Sequence, residues 1–137
     1  MACLFCDIIA GRAEAAVVLR DPRTVVFLDS RPLFPGHCLV APVAHYETLL
    51  DLPAELIGPL FATARRVAQA LETALGAEGS FVAVNNRVSQ SVLHLHVHVV
   101  PRRPKDGLKG FFWPRQKYEG PEHVAAVLEK LKAALAA

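Results

Sequence analysis

His94-Leu95-His96-Val97-His98-Val99-Val100 is a run in which histidine alternates with an apolar residue as far as His98. Side chains of a strand point alternately to its two faces, so a period of two predicts a strand over 94–100. Leu95, Val97 and Val99 then face a core, and all three imidazoles share the opposite face. A single buried histidine is ordinarily a packing residue, but three in strict alternation call for chemistry. Two readings stand at this point. Neutral imidazoles are favoured zinc ligands. Alternatively, one is a nucleophile and its neighbours position an anion.

Working outward, Phe81–Val84 reads as a strand, joined to the histidine run by a loop over Asn85–Leu93. Before it, Leu56, Leu60, Ala64, Val67, Leu71 and Leu75 recur at spacings of three or four and predict a long amphipathic helix. Asp51 can cap that helix, Pro53 suits its first turn, Pro59 is expected to kink it and Gly76 ends it. Further upstream, Val17–Leu19 and Val25–Leu28 flank Asp21-Pro22-Arg23 and read as a hairpin. Pro35-Gly36 makes a turn into a strand over His37–Ala41, and Leu4–Ala10 forms a short helical turn stopped by Gly11. At the other end, Gly120-Pro121 opens a helix with Val124, Val127, Leu128, Leu131 and Leu135 on one side. The succession predicts one α+β domain over 1–137, with an antiparallel sheet of about five strands, one long helix and a C-terminal helix.

The 137 residues carry 53% hydrophobic side chains, which excludes a disordered chain, and a net charge of +2, which provides no general field for nucleic acid or an anionic membrane. Residues 101–120 are locally basic, with Arg102, Arg103, Lys105, Lys109, Arg115 and Lys117 against Asp106 and Glu119. This is a solvated loop or the rim of a phosphate site. No apolar run reaches the roughly 18 residues of a membrane span, and the first residues lack the features of a signal peptide. A cytoplasmic location is therefore expected. There, three cysteines do not make a disulfide framework, and Cys3-x-x-Cys6 reads as a metal or redox pair.

Asn85-Asn86-Arg87-Val88-Ser89-Gln90-Ser91-Val92-Leu93-His94-Leu95-His96-Val97-His98 resembles the signature of the histidine-triad nucleotide-binding family. The resemblance continues upstream through Phe5-Cys6-Asp7-Ile8-Ile9, Phe27-Leu28-Asp29 and Pro35-Gly36-His37-Cys38-Leu39-Val40, and downstream to Phe112-Trp113-Pro114. It implies a nucleotidyl hydrolase or transferase that cleaves at the α-phosphate of a nucleoside monophosphate derivative through a nucleotidyl-histidine. His96 is then the nucleophile and His98 donates to phosphate oxygens. Gln90 and Ser91 line the phosphate and leaving-group side, and His37 stands behind the catalytic imidazoles. Asp29 accepts from the ribose hydroxyls, and Phe5, Ile8, Phe27 and Leu28 form a slot for a purine. Asn85 matches the substrate-side asparagine, with Asn86 as the second choice. Many relatives place glycines where this chain has Arg87-Val88-Ser89, which brings Arg87 near the substrate.

Zinc-bearing relatives imply a closed structural site of Cys3, Cys6, His45 and His94, with no metal needed for the chemical step. Trp113-Pro114 resembles the phosphoramidase branch of the family, and Val100-Pro101-Arg102 the dinucleoside polyphosphate branch; the reading favours the first. A nucleotide-binding regulator with little turnover and a zinc hydrolase are readings of other classes. The family also implies a homodimer acting on AMP-type substrates.

Overall fold

The computed structural model describes residues 2–109 and 115–136. Phe112, Trp113 and Pro114, and with them the marker of the phosphoramidase branch, lie outside those residues. Two compact units form, Met1–Asp106 and Gly107–Ala137. The first contains α1 (Leu4–Ile9), β1 (Val17–Arg20), β2 (Thr24–Leu28), β3 (Cys38–Pro42), a 3-10 turn (Leu49–Asp51), α2 (Ala54–Leu75), β4 (Gly79–Val84) and β5 (Val97–Arg102). The second contains α3 (Pro121–Ala136), whose Val124, Leu128 and Leu131 lie at helical spacing and are exposed. No helix among the described residues is long and apolar enough to cross a membrane.

The five strands form one antiparallel sheet in the order β1-β2-β3-β5-β4, the α+β architecture that the patterning predicts. Register decides what each face carries. Val26 pairs with Val40, and Val40 with Val97. Together with Cys38, Leu95 and Val99 these residues pack under Leu60, Ala64, Val67 and Leu71 of α2. On the other face Val25 pairs with Ala41 and Phe27 with Leu39, and Phe5 of α1 covers them in a second, smaller cluster. Leu39 pairs with His98, so the histidine face belongs to this side. One face of the sheet is thus held rigid by a 22-residue helix. Among the described residues of this unit, the helix on the other face is the six-residue α1, which leaves room for a site.

Three local expectations are refined. Asp51 does not cap α2. It closes a capping box on Thr48, accepting the Thr48 N–H at 3.0 Å and its hydroxyl at 2.8 Å, while α2 begins after Pro53. The long helix continues through Pro59 and ends at Gly76, which takes φ +69 as a left-handed cap. The third concerns the histidine run. β5 begins at Val97, so only His98 of the three histidines belongs to the ladder. Extending the β3–β5 register brings Leu95 opposite Pro42, which has no N–H to give the Leu95 carbonyl and whose own carbonyl accepts from His94 Nε2 at 2.8 Å. The Leu95 N–H donates to the Tyr46 carbonyl at 2.7 Å. The alternation of faces survives this departure: Leu95 and Val97 are fully buried in the α2 core.

Candidate active site

Four side chains from three segments converge at the start of the histidine run. Cys3 is the N-cap of α1, Cys6 lies one turn on, His45 follows β3, and His94 is wholly buried. His94 Nδ1 lies 3.5 Å from each sulfur and 3.2 Å from His45 Nδ1, and Cys6 Sγ lies 3.3 Å from His45 Nδ1. Tetrahedral zinc, with bonds of about 2.0–2.3 Å, spaces its donors about 3.3–3.8 Å apart. The distances here, 3.2–3.5 Å, lie at the short end of that figure. Tautomer chemistry agrees. His94 Nε2 lies 2.8 Å from the Pro42 carbonyl, so it carries the proton and leaves Nδ1 bare toward the sulfurs. Burial and the adjacent Cys3 hold the Cys6 thiol above its ordinary range, a cost that a divalent cation would reverse.

A second cluster, Asp29, His37 and His98, also gathers possible ligand atoms. Its hydrogen bonds point elsewhere. The Leu33 N–H donates to His37 Nδ1 at 3.1 Å, so the neutral ring keeps its proton on Nε2, the nitrogen that a metal would need bare. The first cluster suits a cation; the second suits a proton.

His96 lies between them. Its Nδ1 is 2.7 Å from the His94 carbonyl and donates to it, which leaves the Nε2 lone pair free. The ring packs edge-on against Phe5 and His98, with centroids 4.9 Å away in both cases. Burial above all keeps His96 from protonating, against the opposing pull of the His94 carbonyl and Asp29. His98 is pushed down to about 4 by burial first, with His96 and His37 adding to the effect and Asp29 opposing it. Both rings are therefore neutral near pH 7. A neutral imidazole with one nitrogen bare, in a water-poor site beside a second neutral imidazole, can act as a nucleophile toward an electrophilic phosphorus.

Residues 10–105 match the HIT domain family profile. This chain belongs to the HIT domain family. It is 38% identical over 136 residues to an uncharacterized HIT-like protein of Saccharolobus solfataricus, covering 95% of this chain and 98% of that one. Two relatives carry enzyme names. An adenylylsulfatase of Arabidopsis thaliana is 32% identical over 77% of this chain and 55% of its own length. An asymmetrical bis(5'-nucleosyl)-tetraphosphatase of Schizosaccharomyces pombe is 34% identical over 66% of this chain and 50% of its own. Among solved structures, a HIT family protein of Bacillus subtilis superposes with TM-score 0.85 at 30% identity, covering 97% of this chain and 96% of that one. A zinc-bound histidine triad family protein of Mycobacterium smegmatis gives 0.76 at 36% identity and 98% coverage of both.

The loop ahead of the triad in this HIT domain is built differently from the sequence expectation. Arg87 and Ser89 adopt φ of +70 and +60, the left-handed conformations that glycine takes without strain. The Gln90 side chain is committed to two backbone groups, one in the loop and one outside it. It accepts the Arg87 N–H at 2.8 Å and donates to the Glu47 carbonyl at 2.6 Å. The Asn86 carboxamide accepts the Leu49 N–H at 2.9 Å, and the Val88 N–H turns back to the Asn86 carbonyl. Asn85 is different: the Val84–Val97 pairing carries it to the level of His96. Ser91 is exposed and lines a cavity of about 470 Å³ with Cys3, Leu4, His45, Glu47, Val92 and Leu93.

Of the residues that the resemblance assigns to a purine slot, Phe5 and Phe27 meet edge to face at 5.0 Å and are almost fully buried. Ile8 is half-buried and lines an open cleft of about 730 Å³ with Gly11 and residues 13–17, while Leu28 is exposed. Asp29 Oδ1 accepts the Arg31 N–H at 2.9 Å. Its Oδ2 lies 3.6 Å from His37 Nε2. Of the basic rim, Arg102 grips Asp106 with both arms of its guanidinium, at 2.6 and 3.1 Å, and Arg103 donates to the Leu75 carbonyl at the end of α2. These two arginines hold the fold. The groups that sequence reasoning missed are backbone ones: the Leu33 N–H and the Pro42 carbonyl. No side-chain pattern announces them.

Proposed function

We propose that this HIT protein is a nucleotidyl hydrolase acting at the α-phosphate of nucleoside monophosphate derivatives, through a covalent nucleotidyl-His96. The observation that carries the reading is the His96 Nδ1 donation to the His94 carbonyl at 2.7 Å, which aims a bare, neutral Nε2 away from the backbone. In the first step Nε2 forms a bond to phosphorus as the bond from phosphorus to the leaving group breaks. The leaving group departs with that electron pair and takes a proton that Ser91 relays from solvent water. Water then attacks the same phosphorus, and the P–Nε2 bond breaks with its pair returning to the ring. The proton of the attacking water goes back to solvent, and the nucleoside monophosphate and free His96 are released. His98 donates to the non-bridging oxygens, where charge accumulates in both steps.

Asp29 takes the ribose hydroxyls, Asn85 the substrate side of the site, and Ile8 and Leu28 flank the purine over the Phe5–Phe27 floor. Gln90 serves as a clamp on the Ser91 loop, since contact with phosphate would break two good hydrogen bonds. A phosphoramidate is the favoured substrate and a dinucleoside polyphosphate the alternative. The enzyme names of two relatives support turnover over a purely regulatory role.

Cys3, Cys6, His45 and His94 hold a structural zinc, which ties α1 to the catalytic segment and takes no part in the bond changes. Thiols kept free for zinc fit the reducing cytoplasm. The homodimer is proposed to form through β4, which with β1 is one of the two edge strands of the sheet. Wild type and His96→Ala are compared on adenosine phosphoramidate, AMP-lysine and diadenosine tetraphosphate. Turnover of any of them by wild type, lost in the variant, is expected. Equal rates for both proteins on all three would overturn the proposal.

A further inference from the structure

We infer that the backbone N–H of Leu33 sets the tautomer of His37 and, through it, makes His98 a fixed donor at Nε2. The chain of hydrogen bonds admits one proton arrangement. The Leu33 N–H occupies the single in-plane lone pair of His37 Nδ1 at 3.1 Å. A proton on that nitrogen would face another N–H, so neither the Nδ1–H tautomer nor the imidazolium fits. Burial acts in the same direction, disfavouring the charged ring. His37 therefore carries its proton on Nε2.

That proton has one partner at hydrogen-bond distance, His98 Nδ1 at 3.0 Å; Asp29 Oδ2 is farther, at 3.6 Å. His98 Nδ1 must accept, and the proton of that ring is left on Nε2. Strand register explains why the rings meet. Leu39 pairs with His98, and His37 lies two residues from Leu39 on the same face, the diagonal position of an antiparallel pair.

The consequence for chemistry rests on the nucleotidyl-transfer reading. A free neutral imidazole divides itself between two tautomers, and one of them would turn a lone pair toward a phosphate oxyanion. The Leu33–His37–His98 chain removes that tautomer before substrate arrives. His37 is then a positioning residue that acts through His98, and the Leu33 amide is the anchor of the series.

The test uses the zinc-loaded full chain with 15N-labelled histidine. Long-range 1H–15N spectra at pH 7 are expected to show His37 and His98 both protonated on Nε2 and bare on Nδ1. In His37→Leu, which strands the Leu33 N–H and frees His98 Nδ1, His98 should populate both tautomers. Its kcat should fall about 100-fold, the scale of losing one transition-state donor, with KM changed little. His37→Gln can place an amide N–H where Nε2 stood, and should restore the His98 tautomer and most of kcat. A wild-type His37 protonated on Nδ1 or on both nitrogens would overturn the inference. So would a His37→Leu protein in which His98's tautomer and kcat are both unchanged. Should His37→Leu not fold, the wild-type spectrum decides alone. The stated spectrum together with turnover that His96→Ala leaves untouched would uphold the tautomer chain and overturn nucleotidyl transfer.

Discussion

Three histidines at alternate positions acquire three different roles because the second nitrogen of each ring has a different partner. His94 donates to the Pro42 carbonyl and offers Nδ1 to a metal. His96 donates to the His94 carbonyl and leaves Nε2 bare, the nitrogen proposed to attack phosphorus. His98 accepts from His37 and offers an N–H. Removing the nucleophile should cost at least about 1,000-fold in kcat, the order seen when a covalent catalyst is deleted; single-turnover assays of His96→Ala check it. The pH profile follows from the same rings. His96 and His98 are both held below the ordinary histidine range, so the active, neutral forms persist as pH falls through 6.5. The acid limb of kcat/KM should therefore lie well below pH 6.5 and not centre on it.

At the scale of elements, the Cys3, Cys6, His45 and His94 cluster, where zinc is proposed, joins the cap of α1 to the segment just before β5, where the regular ladder stops. Chelation, or Cys6→Ser, should lower Tm by several degrees, since loss of a cross-link worth 1–2 kcal/mol shifts a domain of this size by about that much. Metal content and differential scanning calorimetry of the two forms measure it, and a chelated protein with unchanged Tm would remove zinc from the account. The turn before β3 makes an independent prediction. Gly36 has φ +101, and a Cβ there would come within 2.6 Å of Leu75 Cδ1 at the end of α2. Gly36→Ala should destabilise by more than about 1 kcal/mol, from backbone strain and a displaced leucine together. Urea denaturation reads it directly.

At the scale of the whole molecule, burying neutral histidines couples stability to pH. His98, at about 4 in the folded chain, and His37 and His96, also lowered, bind fewer protons when folded than when unfolded. Their contribution is complete above about pH 6.5 and is lost as pH falls from there toward 4. Denaturation midpoints should decline across that window, and His98→Asn should flatten the slope. The assembly has its own test. Val82 is exposed on β4, which with β1 is one of the two edge strands of the sheet. A charge there, Val82→Lys, should convert the proposed dimer to monomer in sedimentation equilibrium with the fold intact by circular dichroism.

Much of this protein is legible in its residues taken in order. Alternation at 94–99 declares two faces, the three-and-four spacing of Leu60, Ala64, Val67 and Leu71 declares α2, and Cys3-x-x-Cys6 declares a metal or redox pair; each is a local pattern of fixed spacing. The order of the strands, the pairing of Leu39 with His98 and the consequent approach of His37 are not local. They depend on closing long loops, and no pattern within one segment encodes them. Gln90 shows the same limit, since its motif is plain but its side chain is committed to the Glu47 carbonyl 43 residues away. The sequence by itself determined that the imidazoles share a face. Only the tertiary structure decided which nitrogen of each is bare, because that choice belongs to backbone groups, and every residue carries the same ones.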